Sequence, residues 1–176
     1  FATATQLDSA LIIANDPDAD RLAVAVKVQD GYQMLTGDEV GILLANELAP
    51  HVGAIANSIV SADLSALASF HSVRYTQTLT GFKWISKVAD LGYGYEEALG
   101  YCVDPEYTPD KDGITAALLI SALAVNLALE GKNLLDKLAE LSETLGHVAT
   151  GQVSIRVTNL ATIGKIMTAL RTEVPA

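Results

Sequence analysis

Asp16, Asp18 and Asp20 stand on alternate positions of Asp-Pro-Asp-Ala-Asp-Arg, directly after the apolar run Leu11-Ile12-Ile13-Ala14. Carboxylate oxygens gathered on a short loop form a hard-cation site, suited to Mg²⁺ or Ca²⁺ rather than to softer metals. Pro17 fixes its own φ and stops the strand from running on smoothly. Asp-rich loops curl readily, so the three side chains can converge. Arg21 follows the last carboxylate; always charged and fork-shaped, it suits a phosphate. A cation site and an arginine at the mouth of a strand point to phosphoryl chemistry. The plainer reading is a solvated acidic turn, against which the proline, the arginine and the flanking apolar strands weigh.

Two further constellations could hold a ligand. Thr80-Gly81-Phe82-Lys83-Trp84 leads from a strand into a helix, where Gly81 and Lys83 can meet a phosphate or sugar oxygen beside the positive helix end. Trp84 is expected in the core. Glu96 and Glu97 end another strand and point to opposite faces unless the chain turns. A carboxylate there can accept hydrogen bonds from two neighbouring hydroxyls; on the residues alone, a solvated pair is an equal reading. Gly100 permits close approach of a ligand. In Asp110-Lys111-Asp112-Gly113, Asp112 is a helix cap and Lys111 a substrate candidate. His51, His71 and His147 have no metal-ligand spacing and are surface or packing residues.

The elements that must position these groups alternate. Strands are expected at Leu11–Ala14, Leu22–Val28, Tyr32–Leu35, Ile55–Val60, Val73–Gln77 and Tyr93–Tyr95. Helices are expected from a Thr36 or Asp38 cap through Asn46, from a Ser61 cap over 62–70, and over 82–89. Three more follow: from the Asp112 cap to near Gly131, over 133–145, and over 160–170. Val153, Ile155 and Val157 alternate with polar residues as in a half-exposed strand. Strand–helix alternation from 55 to 129 is the mark of a layered α/β unit with a substantially parallel sheet.

Composition narrows the partners. The 176 residues are half hydrophobic and carry a net charge of −10, which permits a sizeable core and argues against nucleic acid or an anionic membrane surface. The apolar stretch 114–129 is shorter than the ~20 residues of a membrane span and is interrupted by Thr115, Ser121 and Asn126. It suits a core helix. The single cysteine, Cys102, excludes an internal disulfide and fits a cytoplasmic, reducing location as a small buried hydrophobe.

Asn15–Val26, NDPDADRLAVAV, resembles the metal-binding loop of the α-D-phosphohexomutases, the phosphoglucomutase and phosphomannomutase superfamily. TGFKW at 80–84, EEALGY at 96–101 and DKDG at 110–113 follow in the same order. The last two are most similar to the phosphoglucomutase-2 and phosphopentomutase branch. The resemblance implies an α/β fold: a layered mixed sheet with flanking helices like the third mutase domain, plus the tail of a preceding similar domain. Residues 1–30 would end the second domain and carry the metal loop, 31–150 would form the third, and 151–176 would lead towards a fourth.

It implies Mg²⁺ held by Asp16, Asp18 and Asp20, with Arg21 and Lys83 as catalytic groups. Glu96 is then the principal sugar ligand, supported by Glu97, Gly81, Lys83 and Lys111. Ala98 stands where related loops often have serine. Nothing in the chain matches the phosphoserine loop or the C-terminal phosphate-binding loop. With Phe1 at the start and Ala176 at the end, it is expected to be the middle of a longer enzyme, inactive alone and completed by N- and C-terminal domains. The implied substrate is a sugar phosphate, passing through a bisphosphate intermediate. The alternatives are a non-catalytic sugar-phosphate-binding module and a Ca²⁺-stabilised domain; against the latter, the loop lacks the EF-hand glycine and twelfth-position glutamate.

Overall fold

The computed structural model describes residues 1–151 and 153–173. After a short helix α1 (Ala2–Gln6), the chain forms β1 (Leu11–Asn15), β2 (Leu22–Val28) and β3 (Gly31–Met34). These three are antiparallel, in the order β1-β2-β3. Then come α2 (Gly37–Leu48), a 3₁₀ turn (Ala49–His51), β4 (Ala54–Ser58), α3 (Ser65–His71), β5 (Arg74–Thr78), α4 (Phe82–Ile85), β6 (Leu91–Glu96) and β7 (Gly100–Cys102). The second sheet has the order β5-β4-β6-β7, with β4 parallel to β5 and β6, and β7 antiparallel to β6. Helices α5 (Gly113–Leu129), α6 (Leu134–Leu145) and α7 (Ala161–Thr172) complete the chain. The fold is mixed α/β with helices flanking the sheets.

Alternation decides what each strand buries. Ile55, Tyr93, Tyr95 and Tyr101 face the main core with Val40, Leu43, Leu44 and Ile120, while Ala56 and Cys102 face a smaller cluster with Phe82 and Ile85. The three tyrosines stack at 6.2 and 6.4 Å. Their hydroxyls, fully enclosed, donate to the Gly41 carbonyl, the Asp38 carboxylate and the Gly37 carbonyl. Helix α2 is thereby fastened along the stack, and its capping box of Thr36 and Glu39 satisfies the exposed end. Asp112 caps α5 as expected, and Asn133, expected inside the next helix, caps α6 instead.

Several expectations need correction. Ser61 does not cap a helix: α3 begins at Ser65 with Leu64 in the cap position and no side-chain bond. Trp84 is 46% exposed rather than buried, because α4 spans only four residues and turns that side outward. The expected strand around Val153–Val157 is not formed; its alternation finds no neighbouring ladder among the described residues, and a strand alone is not stable in water. Residues 152 and 174–176, within the expected C-terminal segment, lie outside the described residues. Among the described residues no single helix is long and apolar enough to cross a membrane.

Candidate functional site

β4, β5 and β6 run parallel and end together at Ser58, Thr78 and Glu96, with Ser58 level with Thr78 and Asn57 level with Tyr95. Loops leaving the carboxyl ends of parallel strands are where open α/β sheets take ligands. The Lys83 loop and the Glu96–Gly100 loop therefore emerge at the same end of the sheet, on either side of β4. The aspartate loop reaches the same place from the first sheet. The Leu22 amide donates to the Leu99 carbonyl at 3.0 Å, and Arg21 bridges Gly100 in antiparallel fashion.

The aspartate loop curls as its composition predicts, with Ala19 at φ +59°. One carboxylate oxygen from each of Asp16, Asp18 and Asp20 lies within 4.8 Å of the others. Three hard oxygen donors at one point, with no sulfur or imidazole among them, fit Mg²⁺. Arg21 donates through Nε to Asp16 Oδ2 at 2.6 Å and through its backbone amide to Asp16 Oδ1 at 3.2 Å. Desolvation pushes the Asp16 carboxyl up, but those two bonds and the guanidinium charge outweigh it and hold the group below its ordinary range. Lys111 reaches Asp20 at 2.9 Å.

Lys111 joins this loop to the next. Its ammonium lies 5.7 Å from the Phe82 ring centre. Its stem crosses Gly100, where a Cβ would come within 2.5 Å of it. It also attracts Glu96, whose carboxyl is raised first by burial and then by Glu97 and Asp110, and drawn back by the Gly81 backbone and Lys111. Glu96 is buried. Lys83 is exposed, its ammonium 5.6 Å from the centre of the Trp84 ring. Gly81 opens α4 at φ +117°, a conformation that favours glycine.

The structure thus brings Asp16, Asp18, Asp20, Arg21, Lys111 and Glu96 together and sets Gly81 beside Glu96. The second glutamate is engaged otherwise. Ser61 donates to Glu97 Oε2 at 2.8 Å, Ser58 to the same oxygen at 3.3 Å, and the Glu97 amide donates to Ser61 Oγ at 3.1 Å. Ser58, Ser61 and the buried Asp38 were not candidates in the sequence. The bonds that tie them to the glutamate loop, the tyrosine stack and the 61–62 turn join residues 24 to 57 positions apart, and no local pattern marks such bonds.

The domain Phosphoglucomutase/phosphomannomutase, alpha/beta/alpha domain III, matches residues 36–145. The chain is 48% identical over 179 residues to the protein named "Probable phosphomannomutase" of Haemophilus influenzae, covering 98% of this chain and 37% of that one. It is 32% identical over 193 residues to the phosphopentomutase of Homo sapiens, covering 97% and 31%. A phosphoglucomutase/phosphomannomutase family protein of Burkholderia thailandensis superposes with a TM-score of 0.65 at 19% identity, covering 80% of this chain and 30% of that one, and shares the fold. The chain spans about a third of the length of these relatives (37% and 31%). It belongs to the phosphoglucomutase/phosphomannomutase family.

Proposed function

We propose that the intact polypeptide is a Mg²⁺-dependent phosphosugar mutase. It would move a phosphoryl group between the anomeric oxygen of a sugar and its terminal oxygen, at C6 of a hexose or C5 of a pentose. The observation that carries this reading is the ladder contact of Arg21 and Leu22 with Leu99 and Gly100. It sets a carboxylate cluster for a hard cation beside a buried carboxylate suited to sugar hydroxyls, which is what transfer of a phosphoryl group on a sugar requires. Relatives named phosphomannomutase and phosphopentomutase add support for the reaction class.

In this reading Asp16, Asp18 and Asp20 hold Mg²⁺, which when bound supplies positive charge to a transferring phosphoryl group. Arg21 steadies the phosphate by paired hydrogen bonds. Glu96 accepts from sugar hydroxyls, with Gly81, Lys83 and Lys111 around it. Glu97 contributes through the shape of its loop. A phosphoserine elsewhere in the intact polypeptide donates the phosphoryl group to the free sugar oxygen and recovers one from the bisphosphate. That intermediate must turn over in the site between the two transfers. The proposed domains are 1–30 as the end of a second domain, 31–150 as the third, and 151–176 leading to a fourth. The two separate sheets and a family match that begins at residue 36 support that division. The proposed location is the cytoplasm, in keeping with one buried free cysteine.

The test is interconversion of glucose, mannose or ribose 1-phosphate with its terminal-phosphate isomer by the intact protein, followed by phosphorus NMR. Turnover is expected with Mg²⁺, collapse in Asp18→Asn, and none from the 176-residue chain alone. Unchanged turnover in Asp18→Asn overturns the reading.

A further inference from the structure

β6 ends at Glu96 with Glu97 next in the turn, and the two adjacent glutamates are held differently. The hydroxyl of Ser61 gives its proton to Glu97 Oε2 at 2.8 Å and takes the Glu97 amide proton at 3.1 Å. One hydroxyl thus holds both the backbone and the side chain of a single residue. Ser58 supplies the second proton to the same carboxylate oxygen at 3.3 Å, while accepting from the Val60 amide and contacting Thr80 Oγ1 at 3.2 Å. Each serine hydroxyl thus both donates and accepts. No carboxylate bond to a protein hydroxyl of this kind engages Glu96 among the described residues.

Ser61 is itself held. The Ala62 amide donates to Asp38 Oδ1 at 2.8 Å, and the Ala62 carbonyl accepts from Asn57 Nδ2 at 2.7 Å. Asp38 is buried and also receives the hydroxyls of Tyr95 at 2.9 Å and Thr150 at 2.6 Å. The support therefore runs from the tyrosine stack through Asp38 to the turn at 58–62. From there it reaches the glutamate loop, and Thr80 ties the same turn to the Lys83 loop.

We propose that Ser61 is a positioning residue for sugar recognition: it draws Glu97 into the 58–61 turn and leaves Glu96 as the carboxylate that meets the substrate. This rests on the reading of Glu96 as the sugar ligand. Ser61 acts only through the loop and touches no substrate. Losing it frees Glu97 to repel Glu96 and to slide the loop, which weakens sugar binding in ground and transition states alike. Such a loss raises KM and spares kcat.

The experiment is steady-state kinetics of the intact mutase, with a sugar 1-phosphate as substrate, for Ser61→Ala, Ser61→Thr and Glu96→Gln, with thermal unfolding of each. Ser61→Ala is expected to raise KM about tenfold with kcat within roughly twofold, as for one lost charged hydrogen bond. Ser61→Thr, which keeps the hydroxyl, restores KM. A variant that is merely unstable loses active enzyme and hence apparent kcat, with KM unmoved; that result overturns the proposal. If Ser61→Ala does not fold, Ser58→Ala carries the same test, a raised KM supporting the inference and an unchanged KM overturning it. Glu96→Gln separates the two levels. A crippled Glu96→Gln beside a Ser61→Ala with normal KM removes only the role of Ser61. A fully active Glu96→Gln removes the reading of the site and this inference with it.

Discussion

Arg21 in the aspartate loop and Glu97 in the glutamate loop each rest a carbonyl oxygen against the first residue of a helix, and in both helices that residue is glycine. A Cβ at Gly113, which opens α5, would lie 2.3 Å from the Arg21 oxygen; one at Gly37, which opens α2, would lie 1.9 Å from the Glu97 oxygen. The seats match, but the locks differ. The aspartate loop is held by ion pairs, with the Arg21 side chain 51% exposed. The glutamate loop is held by hydroxyls on a buried turn. Exposed charges leave carboxylates available to exchange a side-chain cation for a metal ion. A hydroxyl clamp fixes geometry and offers nothing to exchange. The difference teaches that, under the proposed metal and sugar roles, one loop suits binding and release and the other a fixed surface.

The largest effect that can break this comparison comes from filling the seats. Gly37→Ala and Gly113→Ala both force a methyl group into backbone, and overpacking of this kind costs about 1–3 kcal/mol. Gly37→Ala is expected at the upper end, because Glu97 is pinned at both its amide and its carboxylate and cannot retreat. The aspartate loop can shift towards solvent and so lowers the cost of Gly113→Ala. Thermal unfolding of the two variants measures this. Equal losses, or a larger loss for Gly113→Ala, contradict the difference in rigidity.

Next in size is the contrast between Glu96 and Lys87. If Glu96 holds the sugar as proposed, Glu96→Gln in the intact protein should remove charge-assisted bonds worth roughly 1.5–3 kcal/mol each, a tenfold to hundredfold fall in kcat/KM. Lys87 is exposed just beyond α4, where substitution changes stability by less than about 0.5 kcal/mol. Burial raises the Glu96 carboxyl above its ordinary value, so its ionisation disfavours the fold. The stability this group contributes is complete below its unfolded-state pKa and is lost as pH rises through the folded one. Glu96→Gln should therefore flatten the decline of stability across that window. Catalytic efficiency of the parent should in turn rise with pH through the same window as the carboxylate forms. A variant as pH-dependent as the parent would show that another group titrates.

What the sequence disclosed follows the same division. The aspartates, Arg21 and the capping residues Thr36 and Asp112 act on neighbours within a few positions, so spacing and residue type reveal them. β1 and β2 were legible because both are apolar runs on either side of a turn. Ser61 misled because a Ser ahead of an apolar run is a cap signal, yet its oxygen is taken by a residue 36 positions later. β7 is three residues long, Gly-Tyr-Cys, too short for any period to declare itself. The alternation at Val153–Val157 is as clean as in a true strand, but alternation states only which faces differ. Whether a partner lies alongside is a property of the whole fold. The glycine seats at 37 and 113 are likewise invisible to local reading.

Metal binding gives a smaller effect and sharpens the contrast. By calorimetry on the chain, Mg²⁺ should bind weakly and Asp18→Asn should weaken it further, since a donor oxygen is lost. Added salt should weaken it as well, because charges this exposed are screened over about 8 Å at physiological ionic strength. Hydrogen exchange at the Glu97 amide, bonded to a hydroxyl, should be indifferent to salt. Tight binding untouched by Asp18→Asn would remove the aspartates from the site.

The finest comparison uses Cys102 as a reporter. Its thiol is fully buried, donates to the Thr108 carbonyl at 3.2 Å, and is pushed by that burial up to about 12. At about pH 8 so little thiolate exists that labelling should run roughly a thousandfold slower than for a free cysteine. Cys102 lies in β7, paired with Gly94 and joined to the glutamate loop through Gly100. Loosening that loop by Ser61→Ala should speed labelling severalfold through local opening, in which β7 frays before the sheet does. Asp18→Asn should leave the rate unchanged, because the aspartate loop meets β7 through the Arg21–Gly100 bridge and through Lys111, which pairs with Asp20 across Gly100, and none of these contacts involves Asp18. Labelling that responds to Asp18→Asn as strongly as to Ser61→Ala would mean that the two loops open as one unit, and the separation between an exchangeable lock and a fixed one would fail.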